Sequence, residues 1–304
     1  MAMKNLKLIY NADAGNKSFK YQLDSVLKVL TSAGFDTSLL RVEKIIQVEE
    51  YLSQIKPDAY DTIIAAGGDG TLNIVVSCVL KYGLTARIGL IPAGTSNDFA
   101  RSMGISKNFE TAAQVIAAGQ TTFVDIGKIT TDTSLQYFIN VFGAGTITNI
   151  SHHVNPNLKN TIGNTAYYLK AVEKLMQDHA PLPVTITHSK GDLTAEIYFF
   201  LALNTGAAGG FDKLVERASI NDGYFDMFAM TAGSIADNLA LIMKFLKGEH
   251  LEDDRIIYYR DNYTKLTFDT PTETNIDGEA GPPPPVEISL LPSAIQLYIP
   301  KEEN

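Results

Sequence analysis

Residues 63–98 read IIAAGGDGTLNIVVSCVLKYGLTARIGLIPAGTSND. Two short apolar runs, 63–66 and 88–91, each empty into a loop of small and hydroxyl residues. The first loop is Gly67-Gly68-Asp69-Gly70-Thr71, and the second is Pro92-Ala93-Gly94-Thr95-Ser96-Asn97-Asp98. Apolar runs of this length bounded by glycine predict buried strands of a parallel sheet. In open α/β sheets, ligands bind beyond the carboxyl ends of such strands. Glycine lets a backbone approach a ligand closely, and the inward N–H groups of such turns bind anions. A helix expected to start near Thr71 and Asn73 adds positive potential at the same place. Phosphate suits this environment. Asp69 does not suit phosphate unless it orients a magnesium ion or its water, or binds a hydroxyl. The plainer alternative is that Asp69 caps the strand-to-helix turn.

Outward from this stretch the pattern alternates. Strands are expected at 7–10, 38–42, 62–66 and 88–91, with helices over 19–33, 48–54, 72–81, 97–103 and 109–118. Gly34 and Gly119 stop two of the helices. Alternation of this kind implies a parallel α/β sheet. After Gln120 the texture changes. Segments 123–130, 136–142, 184–188, 194–203, 223–229 and 263–268 read as strands without long helices between them, which predicts an antiparallel sandwich or barrel. Helices are expected only at 166–176 and 234–247. The apolar 294–299 segment is expected to return to the first domain. The expected domains are therefore 1–122, with 293–304 returning to it, and a β-sandwich over 123–292.

Composition narrows the function. With 45% hydrophobic and 19% charged residues the chain is globular, and its 304 residues suggest two domains. A net charge of −9 argues against nucleic acid as the main partner and against tight polybasic attachment to anionic lipid. The single cysteine, Cys78, excludes an intrachain disulfide and a thiolate zinc cluster, and its apolar setting makes it a core residue. The longest apolar stretch, 197–203, is far short of the ~18 residues that span a bilayer. Residues 1–10 lack a signal-peptide pattern. The expected location is the cytoplasm. The histidines show no metal-ligand spacing, and no GxSxG elbow occurs.

Further turns carry candidate chemistry. Asn11-Ala12-Asp13-Ala14-Gly15 follows the first strand and aims at the same sheet edge as residues 67–71, with Lys17 close by. Residues 204–211 (NTGAAGGF) form a possible close-approach loop. Asn221-Asp222-Gly223 reads as a hairpin turn that could also hold a hard cation. Asn275-Ile276-Asp277-Gly278-Glu279 reads as a hairpin loop. It could also bring Asp277 or Glu279 into a cleft as the base for phosphoryl transfer to an alcohol.

Gly67 to Asn73 resembles the GGDGT signature of the diacylglycerol kinase catalytic domain, whose superfamily includes sphingosine kinases, NAD kinases and phosphofructokinases. The segment 92–100, PAGTSNDFA, resembles the stretch that separates lipid kinases from NAD kinases. Gly209-Gly210-Phe211, Asn221-Asp222-Gly223-Tyr224-Phe225-Asp226 and Ile276-Asp277-Gly278-Glu279 recur in the order seen in bacterial soluble diacylglycerol kinases. The resemblance covers nearly the whole chain. It implies an α/β nucleotide-binding domain, a β-sandwich domain, and ATP in the cleft between them. It places Asn11, Ala12, Asp13, Ala14, Gly15, Gly68, Asp69, Gly70, Thr71, Leu72, Asn73 and Thr95 at the nucleotide. It makes Glu279 the general base, with Asp69 and Asp222 supporting it. The Ser219 and Tyr224 carbonyls and the Asp222 carboxylate would hold a structural magnesium ion. A homodimer is implied, acting on a lipid at the inner membrane face. Departures from the family pattern are Ile74 in place of an acid, Val42 in place of a threonine, and NADAG in place of NPxSG.

The expected function is an ATP- and Mg2+-dependent lipid kinase converting diacylglycerol to phosphatidate. The alternatives are a kinase for a sphingoid base or NAD, and a non-catalytic nucleotide-binding regulator suggested by the altered first loop.

Overall fold

The computed structural model describes residues 3–146, 180–208 and 214–301. By its internal contacts the chain forms two compact units, Met1–Ile126 with Pro292–Asn304, and Gly127–Leu291.

Unit 1 is built from β1 (Lys4–Asn11), α1 (Leu23–Ser32), β2 (Phe35–Val42), α2 (Ile46–Leu52), β3 (Thr62–Gly67), α3 (Asp69–Lys81), β4 (Arg87–Pro92), α4 (Asp98–Ser102) and α5 (Phe109–Ala118). The strand order is β2-β1-β3-β4, all parallel. Every residue of β3 is buried, as is all of β4 but Arg87. This burial on both faces explains why these strands are unbroken apolar runs rather than alternating ones. Helix α5 has the bounds expected from its periodicity. Asn108 caps it by accepting the Thr111 N–H, and Gly119 closes it at φ +78°. The single helix expected over 19–33 is instead a 3-10 turn at Phe19–Tyr21 followed by α1.

Unit 2 carries the antiparallel strands. β5 (Thr121–Thr130) enters it and pairs with β6 (Leu135–Phe138). Then come β7 (Val141–Gly145), β8 (Leu182–His188), β9 (Gly191–Leu203), β10 (Phe225–Thr231), the helix α6 (Ile235–Lys247) and β11 (Ile256–Asp261). β12 (Tyr263–Phe268), β13 (Thr274–Ile276), β14 (Glu279–Ala280) and β15 (Val286–Tyr298) complete the order. Phe138, Phe142, Phe200 and Phe225 form one aromatic core with Ile186, Leu266 and Ile288. Phe199, Phe228, Met230 and Leu241 belong to a second core. β15 is shared in sequence: residues 286–289 pair with β12, and Leu297 pairs in parallel with Ile88 of β4.

Three expectations need correction. The strand expected at 136–142 is two strands, because the amides of Ile139, Asn140 and Val141 turn away to a distant carboxylate. The strand β11 was not expected, although its sequence IIYYRD has the right β-branched and aromatic content. Asn221-Asp222-Gly223 is a turn but not a hairpin, since β10 pairs with β9 across a long connection. The helix expected at 166–176 and the Gly209-Gly210-Phe211 motif lie outside the described residues.

Candidate active site

In unit 1 three loops converge at the carboxyl ends of β1, β3 and β4. Gly67 O accepts the N–H groups of Ala93 (2.8 Å) and Gly94 (3.1 Å), which ties the two glycine loops together. They pack so closely that a Cβ on Gly94 would collide with the Cα of Gly68. Gly15 sits at φ +54°, where a Cβ would also collide with the carbonyl of Ala93. The first loop is held by an Asx turn, Asp13 N–H to Asn11 Oδ1 at 2.9 Å, and by the Asp13–Lys17 ion pair at 2.8 Å.

Asp69 does not cap its own helix. Its carboxylate accepts the N–H groups of Asp98 and Phe99, both at 3.3 Å, at the start of α4. It thereby supplies the acceptor that α4 lacks locally, since Asn97 is left-handed at φ 52° and makes no side-chain cap bond to it. Asn97 instead braces its own loop, accepting the Gly94 N–H at 3.1 Å and donating to Gly94 O at 2.7 Å. Burial pushes the Asp69 carboxyl above its usual range, against the pull of these amides. The carboxylate thus has a structural partner in the second loop.

A cavity of about 560 Å³ opens beside this junction, lined by Gly15, Thr95, Gly94, Lys107, Asn108 and Gln22 among others. That volume lies within the ~300–1,000 Å³ typical of ligand pockets. Of the expected nucleotide residues, Gly15 and Thr95 line it. Asn11 at the end of β1, Ala12, Asp13 and Ala14 in the first loop, Gly68, and Gly70 and Asn73 in the first turns of α3 lie nearby in the chain without lining it. Ala12, Thr71 and Leu72 are buried, so their side chains are packing groups and only their backbone can meet a ligand. Lys107 and Asn108 were missed. An asparagine directly before the apolar-periodic segment 109–118 was the available signal.

In unit 2 the sheet gathers the remaining motifs at one end. In register across it, Ile276 faces Phe142, Phe142 faces Ala202, Ala202 faces Met227, and Met227 faces Tyr259. The turns 204–208, 221–224 and 277–278 therefore share that end. Three strand spacings separate β13 from β10, about 14 Å at ~4.8 Å each. Glu279 on β14 and Asp222 in the turn before β10 stand on separate elements of this end.

Asp277 and Gly278 are the two central residues of the β13–β14 hairpin, both with positive φ (50° and 98°). The Asp277 carboxylate accepts from Ile139 N (2.7 Å), Asn140 N (2.9 Å) and Val141 N (2.8 Å). Of the two candidate bases, Asp277 is therefore committed to structure. Glu279 is exposed and makes no hydrogen bond or ion pair among the described residues.

Of the expected magnesium ligands, the Ser219 and Tyr224 carbonyls and the Asp222 carboxylate, only Asp222 is charged, and its carboxylate is already shared. Asp222 Oδ1 accepts the Tyr224 N–H at 3.1 Å, and Oδ2 is held by the Arg260 guanidinium. The Ser219 hydroxyl donates to Asn221 Oδ1 at 3.0 Å. Among the described residues no three His, Cys, Asp or Glu side chains group as metal ligands.

The comparisons with known proteins agree with this layout. Residues 5–129 match the diacylglycerol kinase catalytic domain, and residues 140–299 match the YegS C-terminal NAD kinase beta sandwich-like domain. The chain is 35% identical over 302 residues to a diacylglycerol kinase of Bacillus subtilis, covering 99% of this chain and 98% of that one. The chain belongs to the bacterial diacylglycerol kinase family. A second family member, from Staphylococcus epidermidis, is 34% identical over 98% of this chain and 93% of its own. In fold, this family member is similar to a diacylglycerol kinase from Bacillus anthracis, with a TM-score of 0.75 at 22% identity, covering 99% and 98% of the two chains. An NAD kinase from Archaeoglobus fulgidus is similar at a TM-score of 0.55 and 11% identity, covering 97% and 93%. That likeness matches an N-terminal α/β unit followed by a β-sandwich.

Proposed function

We propose that this chain is an ATP-dependent diacylglycerol kinase. Full-length similarity to the Bacillus subtilis enzyme is the observation that carries the reading. The glycine-floored cavity of unit 1 is the nucleotide's place, with backbone N–H groups and the start of α5 facing its phosphates. Glu279 takes the proton of the acceptor hydroxyl as the phosphoryl group arrives, which is the role phosphoryl transfer to an alcohol requires. Asp69 and Asp277 are positioning residues. Asp69 fixes the second glycine loop, and Asp277 fixes the hairpin that presents Glu279. A bound Mg2+ would neutralise charge on the nucleotide's phosphates during transfer.

No helix among the described residues is long and apolar enough to cross a membrane. As the family resemblance implies, the lipid is met at a membrane surface, from the cytoplasm, by a homodimer. Sedimentation and fractionation check those last two points.

Transfer of labelled phosphate from ATP to diacylglycerol in mixed micelles tests the activity. The expected result is labelled phosphatidate from the wild type and at least ~100-fold less from Glu279→Ala. Equal turnover in the two would remove Glu279 as the base. No labelled lipid from the wild type would overturn the function.

A further inference from the structure

The turn that the family resemblance assigns to a metal already contains a cation. Arg260 lies on β11 directly opposite Asp226 of β10. Its guanidinium is split between two acids. One arm binds Asp222 Oδ2, and Nε lies 3.4 Å from Asp226 Oδ1. Asp226 is 1% exposed and also accepts the Tyr258 hydroxyl at 2.5 Å. The Tyr224 ring packs 5.3 Å from the guanidinium carbon, so the cation is covered by an aromatic face as well.

The electrostatics of this arrangement resemble those of a bridging metal. Two carboxylates four residues apart would repel, and the buried one has no water to screen it. A planar guanidinium satisfies both at once through its fixed fork of donors. With Arg260 in place a divalent ion gains little. Both Asp222 oxygens are engaged, and the incoming charge would sit against a guanidinium that cannot deprotonate.

We propose that Arg260 is the resident cation of this turn, bridging Asp222 and Asp226 and occupying the Asp222 carboxylate that the family resemblance gives to a divalent ion, so that the turn folds without metal. The proposal concerns metal binding and stability, and it stands or falls independently of the kinase reading.

The test uses the full chain without nucleotide, stripped by a chelator, at matched ionic strength. Thermal unfolding is followed with and without millimolar Mg2+, and binding of Mn2+ is followed by electron paramagnetic resonance. The wild type is expected to show the same Tm in both conditions and no stoichiometric Mn2+. Arg260→Met exposes the acid pair. Its Tm should fall by several degrees in chelator and recover with Mg2+, with Mn2+ bound at one per chain and lost again when Asp222→Asn is added. Arg260→Lys keeps a positive charge and should stay metal-insensitive. If Arg260→Met folds only with Mg2+, the proposal is supported; failure to fold in either condition overturns it. Wild-type Mn2+ binding that Asp222→Asn removes also overturns it, as does a folded Arg260→Met that ignores metal.

Discussion

The loops after β3 and β4 and the turns at the end of β13, β9 and β10 answer the same need by opposite means. In the first region the ligand-facing surface is backbone. Gly15 and Gly94 pack against neighbouring main chain with no room for a Cβ, and Asp69 is turned inward to two amides. In the second region the surface is side chain. Asp277 braces the hairpin that presents Glu279, and Arg260 ties down Asp222. The first region should therefore fail when atoms are added, and the second when atoms are removed.

The sharpest way to break this contrast is at Glu279. Glu279→Gln removes a charge that nothing in the described structure uses for folding. It should lower kcat by about 10²–10⁴ and leave Tm unchanged. A matching loss of Tm would make Glu279 a structural acid like its neighbour. Asp277→Ala should do the reverse. Losing the acceptor for three amides should cost about 2–4 kcal/mol of stability, read as a lower urea midpoint. If the midpoint does not move, the hairpin is not braced by that carboxylate.

A buried group outside both regions sharpens the comparison further. His250 is 0% exposed and stacks on Phe245 at 4.0 Å. Burial pushes its pKa down to about 4, against a weaker upward pull from the Leu214 backbone. The unfolded chain, with the ordinary value near 6.5, takes up this proton first. Stability should thus be constant above pH ~6.5, fall as pH drops from ~6.5 to ~4, and level off below, a loss of about 3 kcal/mol. His250→Phe should flatten that part of the pH–stability curve. An unchanged curve would show that other groups carry it. The smallest effect is expected from Gly94→Ala, about 1–3 kcal/mol of overpacking, accompanied by a higher KM for ATP. A neutral Gly94→Ala would mean that the two glycine loops are not closed against each other.

Much of this was legible from residues 63–98 alone. Short apolar runs without alternation, bounded by glycine, fit strands covered on both faces, and β3 and β4 are such strands. Helix α5 and strand β12 have their expected bounds, because periodicity and terminal signals coincide there. What was not legible is long-range pairing of polar groups. Asp69 looked like a ligand or a local cap, yet its partners lie 29 and 30 positions along the chain. Asp277 and Glu279 are two residues apart and the turn alone does not choose between them; the resemblance picks Glu279, and the structural role of Asp277 shows only in the amides of 139–141. Arg260 carried no motif at all. Lys7, inside an apolar strand, is 5% exposed with its ammonium 4.3 Å from the Tyr51 ring, a match that no local pattern announces. Such partners are decided by strand register and packing, after the local elements exist.

The shared strand β15 bears on how the molecule is made. β4 ends at Pro92, but its outer neighbour is supplied by Leu297, and Tyr298 hydrogen-bonds to Thr62 of β3 at 3.0 Å. About 200 residues of translation separate the two, or ~10–40 s at 5–20 residues per second. Throughout that interval a nascent first domain would carry β4 as an open edge. Its completion waits on a segment that emerges only after the whole second domain has left the ribosome.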